Sequence, residues 1–315
     1  MMVMTYRKIS ISLFLLLALV VIPATALAAP AASSKKAQRS FASPEDAIKT
    51  LVGAVRNNNT REMMAILGPG SREIVSSGDP VADKAGREWF VRLYDEKKVI
   101  EGADTGKAVL SIGNEDYPFP IPLVKKGKAW FFDARAGKEE LLNRRIGRNE
   151  LQAIDVLRAY VDAQREYASK ERNGVSPEFA QKIRSTPGKK DGLYWQAKEG
   201  EEESPFGPLA AEAAQEGYLK SKSESPSPYH GYFFRILKGQ GKNAEGGAFD
   251  YVVNGSMILG FAMVCYPAQY GASGIMTFIV NQKGIVYQKD LGKNTGKTAA
   301  AMKLFDPDKS WKKVE

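Results

Sequence analysis

Cysteine is almost missing from this chain: Cys265 is the only one, so no intrachain disulfide can form and stability must come from core packing. Set in the apolar run FAMVCYP, it reads as a small buried hydrophobe. Histidine is as scarce, with His230 alone. A His-based metal cluster and a thiolate zinc site are both excluded by these counts. A Ser-His-Asp triad would have to pass through His230, which stands at a loop-to-strand junction and reads as a surface or capping residue. Gly-x-Ser-x-Gly and phosphate-binding glycine motifs are absent, and the glycine-rich stretch 239–247 joins strands rather than a strand to a helix. Beyond residue 22 no run approaches the ~18 uncharged apolar residues of a membrane span. The formal charge of +9 comes from 45 basic and 36 acidic residues. They are intermixed along the chain. With no dense basic block and no interleaved aromatics, nucleic acid is not expected as a partner.

What the chain does have begins at its N-terminus. Arg7 and Lys8 precede an apolar run from Ile9 to Ile22, broken only by Ser10 and Ser12. The run falls short of the ~20 residues a bilayer-spanning helix needs. Pro23 ends it, and Ala26-Leu27-Ala28 sets small residues at a cleavage position ahead of Ala29. Residues 1–28 therefore read as a cleavable secretory signal peptide, and the expected location is periplasmic or secreted. No cysteine follows the run to carry a lipid. Residues 29–40, APAASSKKAQRS, hold nothing to bury and read as a disordered leader. The remaining length, at 43% hydrophobic content, suffices for one large or two ordinary domains.

Over 41–147 helices come first. Ser43, Pro44, Glu45 and Asp46 form a helix start, and Ala47, Ile48, Leu51, Val52 and Val55 make one apolar stripe. A second short helix, capped by Thr60, runs to Leu67. A third spans about Pro80 to Tyr94 with Trp89, Phe90 and Leu93 on its apolar side. KAVLSIG at 107–113, the proline-spaced 119–124 and AWFFD at 129–133 then read as strands. Helices followed by a curved antiparallel sheet predict an α+β unit. The order resembles the cone-shaped fold of nuclear transport factor 2-like proteins. Over 148–315 a long helix, from about Arg148 to Ser169, carries Leu151, Ile154, Leu157 and Val161 on one face. Residues 172–230 are turn-rich and charged, with a short helix from Pro208 to Lys220. Strands follow at 232–238, 259–266, 276–281 and 285–290, with Gln282-Lys283-Gly284 as a hairpin turn.

Several strings are distinctive together: FASPEDAIKTLV, YPFPIPLVKKGKAWFFD, LLNRRIGRNELQAI, YHGYFFRIL, GFAMVCYPAQYGASGIMTFIVNQKGIVYQKDLG and FDPDKSW. On them the chain resembles an uncharacterised bacterial exported family, the domain of unknown function 2950. The resemblance implies an exported protein without an assigned activity. Residues 151–290 also resemble the globular part of type IV pilins and type II secretion pseudopilins. The helix AIDVLRAYVDAQREYAS, a variable loop and an antiparallel β-meander carry that likeness. Pilins join a very apolar N-terminal helix directly to this one. Here another domain intervenes, so the resemblance implies a pilin-like α+β module in a soluble protein rather than a filament subunit.

Candidate sites are few. Asp306, Asp308 and Ser310 alternate in FDPDKSW at the spacing that opens a calcium loop. Pseudopilins bind calcium near their C-terminus, and calcium is the only cofactor the chain suggests. A turn centred on Pro307, with Trp311 as an apolar clasp, is the other reading. Tyr229, Tyr232, Tyr251 and Tyr270 cluster around the last strands, where alternate side chains face core and solvent. The outward ones are a candidate binding surface. Glu139-Glu140 and Glu201-Glu202-Glu203 are the carboxylates available to a glycan hydrolase. The resulting expectation is an exported envelope protein with a non-enzymatic binding or structural role, its partner another envelope protein or a cell-wall polymer. A carboxylate-dependent envelope glycan hydrolase is the alternative.

Overall fold

The computed structural model describes residues 38–171, 177–218 and 227–315. The expected signal peptide, and the leader up to residue 37, lie outside the described residues. Helix α1, Pro44–Arg56, starts where Ser43 Oγ accepts the Asp46 N–H at 3.1 Å. It buries Ala47, Ile48, Leu51, Val52 and Val55. Each large member of that stripe stabilises by ~1.5–3 kcal/mol. Helix α2, Thr60–Leu67, is capped by Asn59 rather than Thr60, because the Asn59 side chain accepts the Glu62 N–H. Helix α3, Arg72–Val75, and helix α4, Pro80–Glu96, complete the first helical layer.

These helices pack on an antiparallel sheet of β1 (Lys98–Glu101), β2 (Lys107–Ile112), β3 (Tyr117–Pro118), β4 (Leu123–Lys126) and β5 (Ala129–Phe132). The order is β1-β2-β4-β5, with β3 also on β2. Leu110, Ile112, Leu123 and Phe132 face α1 and α2 in one buried cluster.

Helix α5 then runs unbroken for 35 residues, Ala134–Ala168. The sequence expectation started this helix near Arg148 and set a domain boundary at 147/148, which instead falls mid-helix. The stretch 134–147 carries only scattered apolar contacts, through Ala134, Leu141 and Ile146, and otherwise lies against other elements through small and charged residues. Gly137 shows the fit: a Cβ there would meet Pro120 O at 2.4 Å and Ile121 Cα at 2.8 Å. Ala134 belongs to the first core, whereas Ala153, Ile154, Leu157, Tyr160 and Val161 belong to a second.

After helix α6, Gly207–Gln215, come β6 (Tyr232–Leu237), β7 (Gly239–Gln240), β8 (Phe249–Asp250), β9 (Val252–Val253), β10 (Ser256–Met257), β11 (Ala262–Pro267), β12 (Met276–Asn281) and β13 (Tyr287–Asp290). Helix α7, Thr295–Ala301, and β14, Lys312–Lys313, close the chain. The second sheet is antiparallel in the order β14-β13-β12-β11-β6. The residues of β11 are almost all buried because α5 and α7 both pack on the sheet. The fold is thus α+β, with two five-stranded antiparallel sheets and the two-stranded pairs β7–β8 and β9–β10 among the described residues. No described helix is long and apolar enough to cross a membrane.

Candidate functional site

The densest group of titratable side chains lies where the two cores meet. Asp79 is the N-cap of α4: its Oδ1 accepts the N–H groups of Val81 and Ala82 at 3.1 and 3.0 Å. The sequence DP signals that role. The second role does not show in the sequence. Oδ2, fully buried, accepts the Tyr218 hydroxyl at 2.9 Å and the Gly231 N–H at 2.8 Å, from residues far along the chain.

Gly231 reaches Asp79 from a tight turn. Tyr229 and Tyr232 exchange backbone hydrogen bonds at 2.8 and 3.0 Å around His230 and Gly231, whose φ values are 47° and 77°. Two positive φ values in succession define a type I′ turn, a conformation histidine tolerates better than bulkier or β-branched residues. The His230 N–H donates to the Tyr218 hydroxyl at 3.1 Å. Its ring stacks near Tyr229, with centroids 4.2 Å apart, and its Nε2 lies 3.0 Å from Glu216 Oε2. Burial pulls the His230 pKa down despite Asp79 and Glu212 nearby, and burial, with Glu212 and Asp79, pushes Glu216 up. A neutral ring donating its Nε2–H to Glu216 Oε2 agrees with the contact and with the lowered His230 pKa.

Chemically this seam fastens and does not activate. Burial, then Asp79, pushes the Tyr218 phenol up, and burial pushes Tyr229 up, so neither is poised as a base. Cys265 is buried with its thiol raised well above the ordinary range, the reverse of an activated nucleophile. Nearby, the largely buried Arg145 donates to the carbonyls of Glu73 and Ile74 at 2.6 Å, closing the C-terminal end of α3. Asn149 Nδ2 donates to Ser273 O at 2.9 Å.

The other sequence candidates disperse. Tyr232 and Tyr251 are fully buried, so they cannot line an exposed surface. The Tyr232 hydroxyl donates to Met276 O at 3.0 Å and that of Tyr251 to Gln240 Oε1 at 3.0 Å. Tyr232 opens β6, and Tyr251 lies in the bend between β8 and β9. Tyr229 is half-buried in the seam, and Tyr270 donates to Asp290 Oδ2 at 3.2 Å. Asp306, Asp308 and Ser310 do not form one ligand set. Both Asp306 oxygens accept from Asn243, at 2.8 and 3.0 Å, which holds the glycine-rich loop 239–247. Asp308 Oδ1 accepts the Ser310 N–H and hydroxyl in a local turn. Among the described residues no three His, Cys, Asp or Glu side chains group to hold a metal. Glu140 pairs with Arg144, and Glu202 with Lys170 and Lys190.

An open face lies on α4. Its 17 residues include none that is buried, although Phe90, Val91, Leu93 and Tyr94 touch the first core. Trp89 is 40% exposed and meets only Tyr117 edge-on, ring centroids 5.4 Å apart. An open groove of about 610 Å3 between α1 and α4 is lined by Val55, Val91, Arg92 and Glu96 and crossed by an Arg56–Asp95 ion pair.

An α+β chain with two antiparallel sheets, a continuous linking helix and a closed polar seam is the class these observations define. Residues 38–314 match the model of a family described as protein of unknown function, DUF2950, and the chain belongs to that family. No curated protein matches it, and no solved structure matches it.

Proposed function

We propose that this protein is exported through its N-terminal segment and works in the cell envelope by binding another protein rather than by catalysis. The α4 face carries that reading. A helix with no fully buried residue and a half-exposed tryptophan at its centre has the character of a docking surface. The tied-up seam and the inert Cys265 support it from the other side. The run Ile9–Ile22 and the small residues before Ala29 support export. The order of α5, loop and antiparallel sheet supports a pilin-like second module, and the helix layer on a five-stranded sheet supports a nuclear transport factor 2-like first one. Photo-cross-linking from position 89 in the intact envelope tests the function. A discrete adduct from position 89, and none from Lys189 on another surface, is expected. Equal labelling from both contradicts a docking surface on α4.

One observation favours the glycan-hydrolase alternative: the Glu216 carboxyl is raised by burial with Glu212 and Asp79 close by, as in a general acid beside a second carboxylate. Release of soluble fragments from purified cell wall, abolished by Glu216→Gln, would establish it. No release argues for the binding role.

A further inference from the structure

Along the exposed side of α4 that borders the α1 groove, charge alternates with helical spacing. Lys84 and Glu88 are one turn apart, 3.5 Å between Nζ and Oε1, with side chains 66% and 67% exposed. Arg92 and Glu96 continue the spacing, are exposed, and have no ion-pair partner among the described residues. Residues four apart share one stripe of a helix. The signs along it run plus, minus, plus, minus, and in the reverse direction minus, plus, minus, plus. Laid antiparallel on a copy of itself, about a two-fold axis midway between Glu88 and Arg92, the stripe sets Lys84 opposite the other copy's Glu96 and Glu88 opposite its Arg92. Symmetry makes each pair occur twice. A partner surface of one sign would be repelled by half the stripe, which disfavours a polyanion or an anionic membrane. Trp89 is level with the axis but about 80° round the helix from the stripe, so its ring borders the contact. Ala85, exposed beside the stripe, leaves room for a close approach.

We propose that α4 is a self-association surface on which two copies of this chain pair antiparallel. The proposal rests on reading the α4 face as a docking surface and names its occupant. The helix is ~25 Å long, so the contact covers less than the ~800 Å2 per partner of a standard stable interface. Pairing is therefore weak and concentration-dependent.

Sedimentation of the purified protein up to about 100 µM tests it, and a reversible monomer–dimer equilibrium is expected. Lys84→Glu and Glu96→Lys, each alone, weaken dimerisation about tenfold or more, because each puts like charges across the axis. Mixing the two single variants restores a dimer, since every cross-axis pair is then opposite in sign. Glu88→Arg mixed with Arg92→Glu is a second such pair, independent of the first should either variant fold poorly. A wild-type chain that stays monomeric, single variants that dimerise like wild type, or mixtures that stay monomeric would overturn the proposal. A monomeric wild type whose position 89 still cross-links a different protein overturns self-pairing and leaves the docking reading standing. Absence of any adduct overturns both.

Discussion

Helices α1 and α4 start alike, each with a side-chain cap followed by proline at the first helical position and acidic residues in the first turn. Their surroundings differ. Helix α1 lays Ile48, Leu51, Val52 and Val55 into the first core, while α4 leaves every residue at least partly exposed. The first helix carries stability. The second carries accessible surface, at the cost of apolar area left in water. Similar sequence signals thus produce a structural element and a presented one. The difference is set by how much of each stripe the sheet below can cover.

Substitutions that act on one helix and spare the other sharpen this comparison. Leu51→Ala has the largest effect: loss of a buried side chain from α1 costs about 3 kcal/mol, read as a lower denaturant midpoint. Trp89→Ala, on the exposed side of α4, costs less than about 1 kcal/mol in the same measurement. Equal losses would remove the distinction between the helices.

Asp79→Ala comes next, at about 2 kcal/mol, because it removes the α4 cap and leaves the Gly231 N–H without its acceptor. Gly137→Ala costs about 1–2 kcal/mol, read as a lower denaturant midpoint, although alanine is the better helix former. Its Cβ would meet the Pro120 backbone. A stabilising Gly137→Ala would show that the α5–sheet contact is looser than described.

The pH response is the smallest effect. His230 has a lowered pKa in the fold, so below its ordinary value of about 6.5 the unfolded chain binds the proton first. Stability contributed by the neutral ring is present above pH ~6.5 and declines as pH falls through that value toward the folded pKa. Glu216, raised by burial, has the opposite slope, losing stability as pH rises above ~4.5. Asp79 and Glu212 favour the charged ring and Arg148 opposes it. His230→Asn keeps a residue suited to positive φ and flattens the decline below pH 6.5. An unchanged profile would remove His230 from the pH response.

The elements were legible where one periodicity dominates. The α1 stripe, the start of α4 at Pro80 and the strands at 107–112, 232–237 and 276–281 follow from apolar spacing and caps. The first two-fifths of α5 did not, because Ala134 to Gly147 meets its neighbours through glycine, arginine and lysine as well as Ala134, Leu141 and Ile146, too few apolar positions to mark a stripe. The seam was illegible for another reason. The Asp79 cap is a local signal, whereas its bonds to Tyr218 and Gly231 are made only when the two cores come together. Tyr232 was misplaced because alternation in a strand fixes two faces without saying which one is buried, and Tyr251 because it sits in a bend between two short strands; their hydroxyls found internal acceptors at Met276 and Gln240.

The claim that α4 presents surface rather than building core is tested most directly by Arg92→Glu, with melting and sedimentation measured on the same sample. Arg92 has no ion-pair partner among the described residues, and the other copy's Glu88 lies opposite it in the paired form. The account predicts a melting temperature matching wild type at low concentration and a loss of dimer at high concentration. A fall in melting temperature comparable to that of Leu51→Ala, or a dimer equilibrium unchanged from wild type, would contradict it.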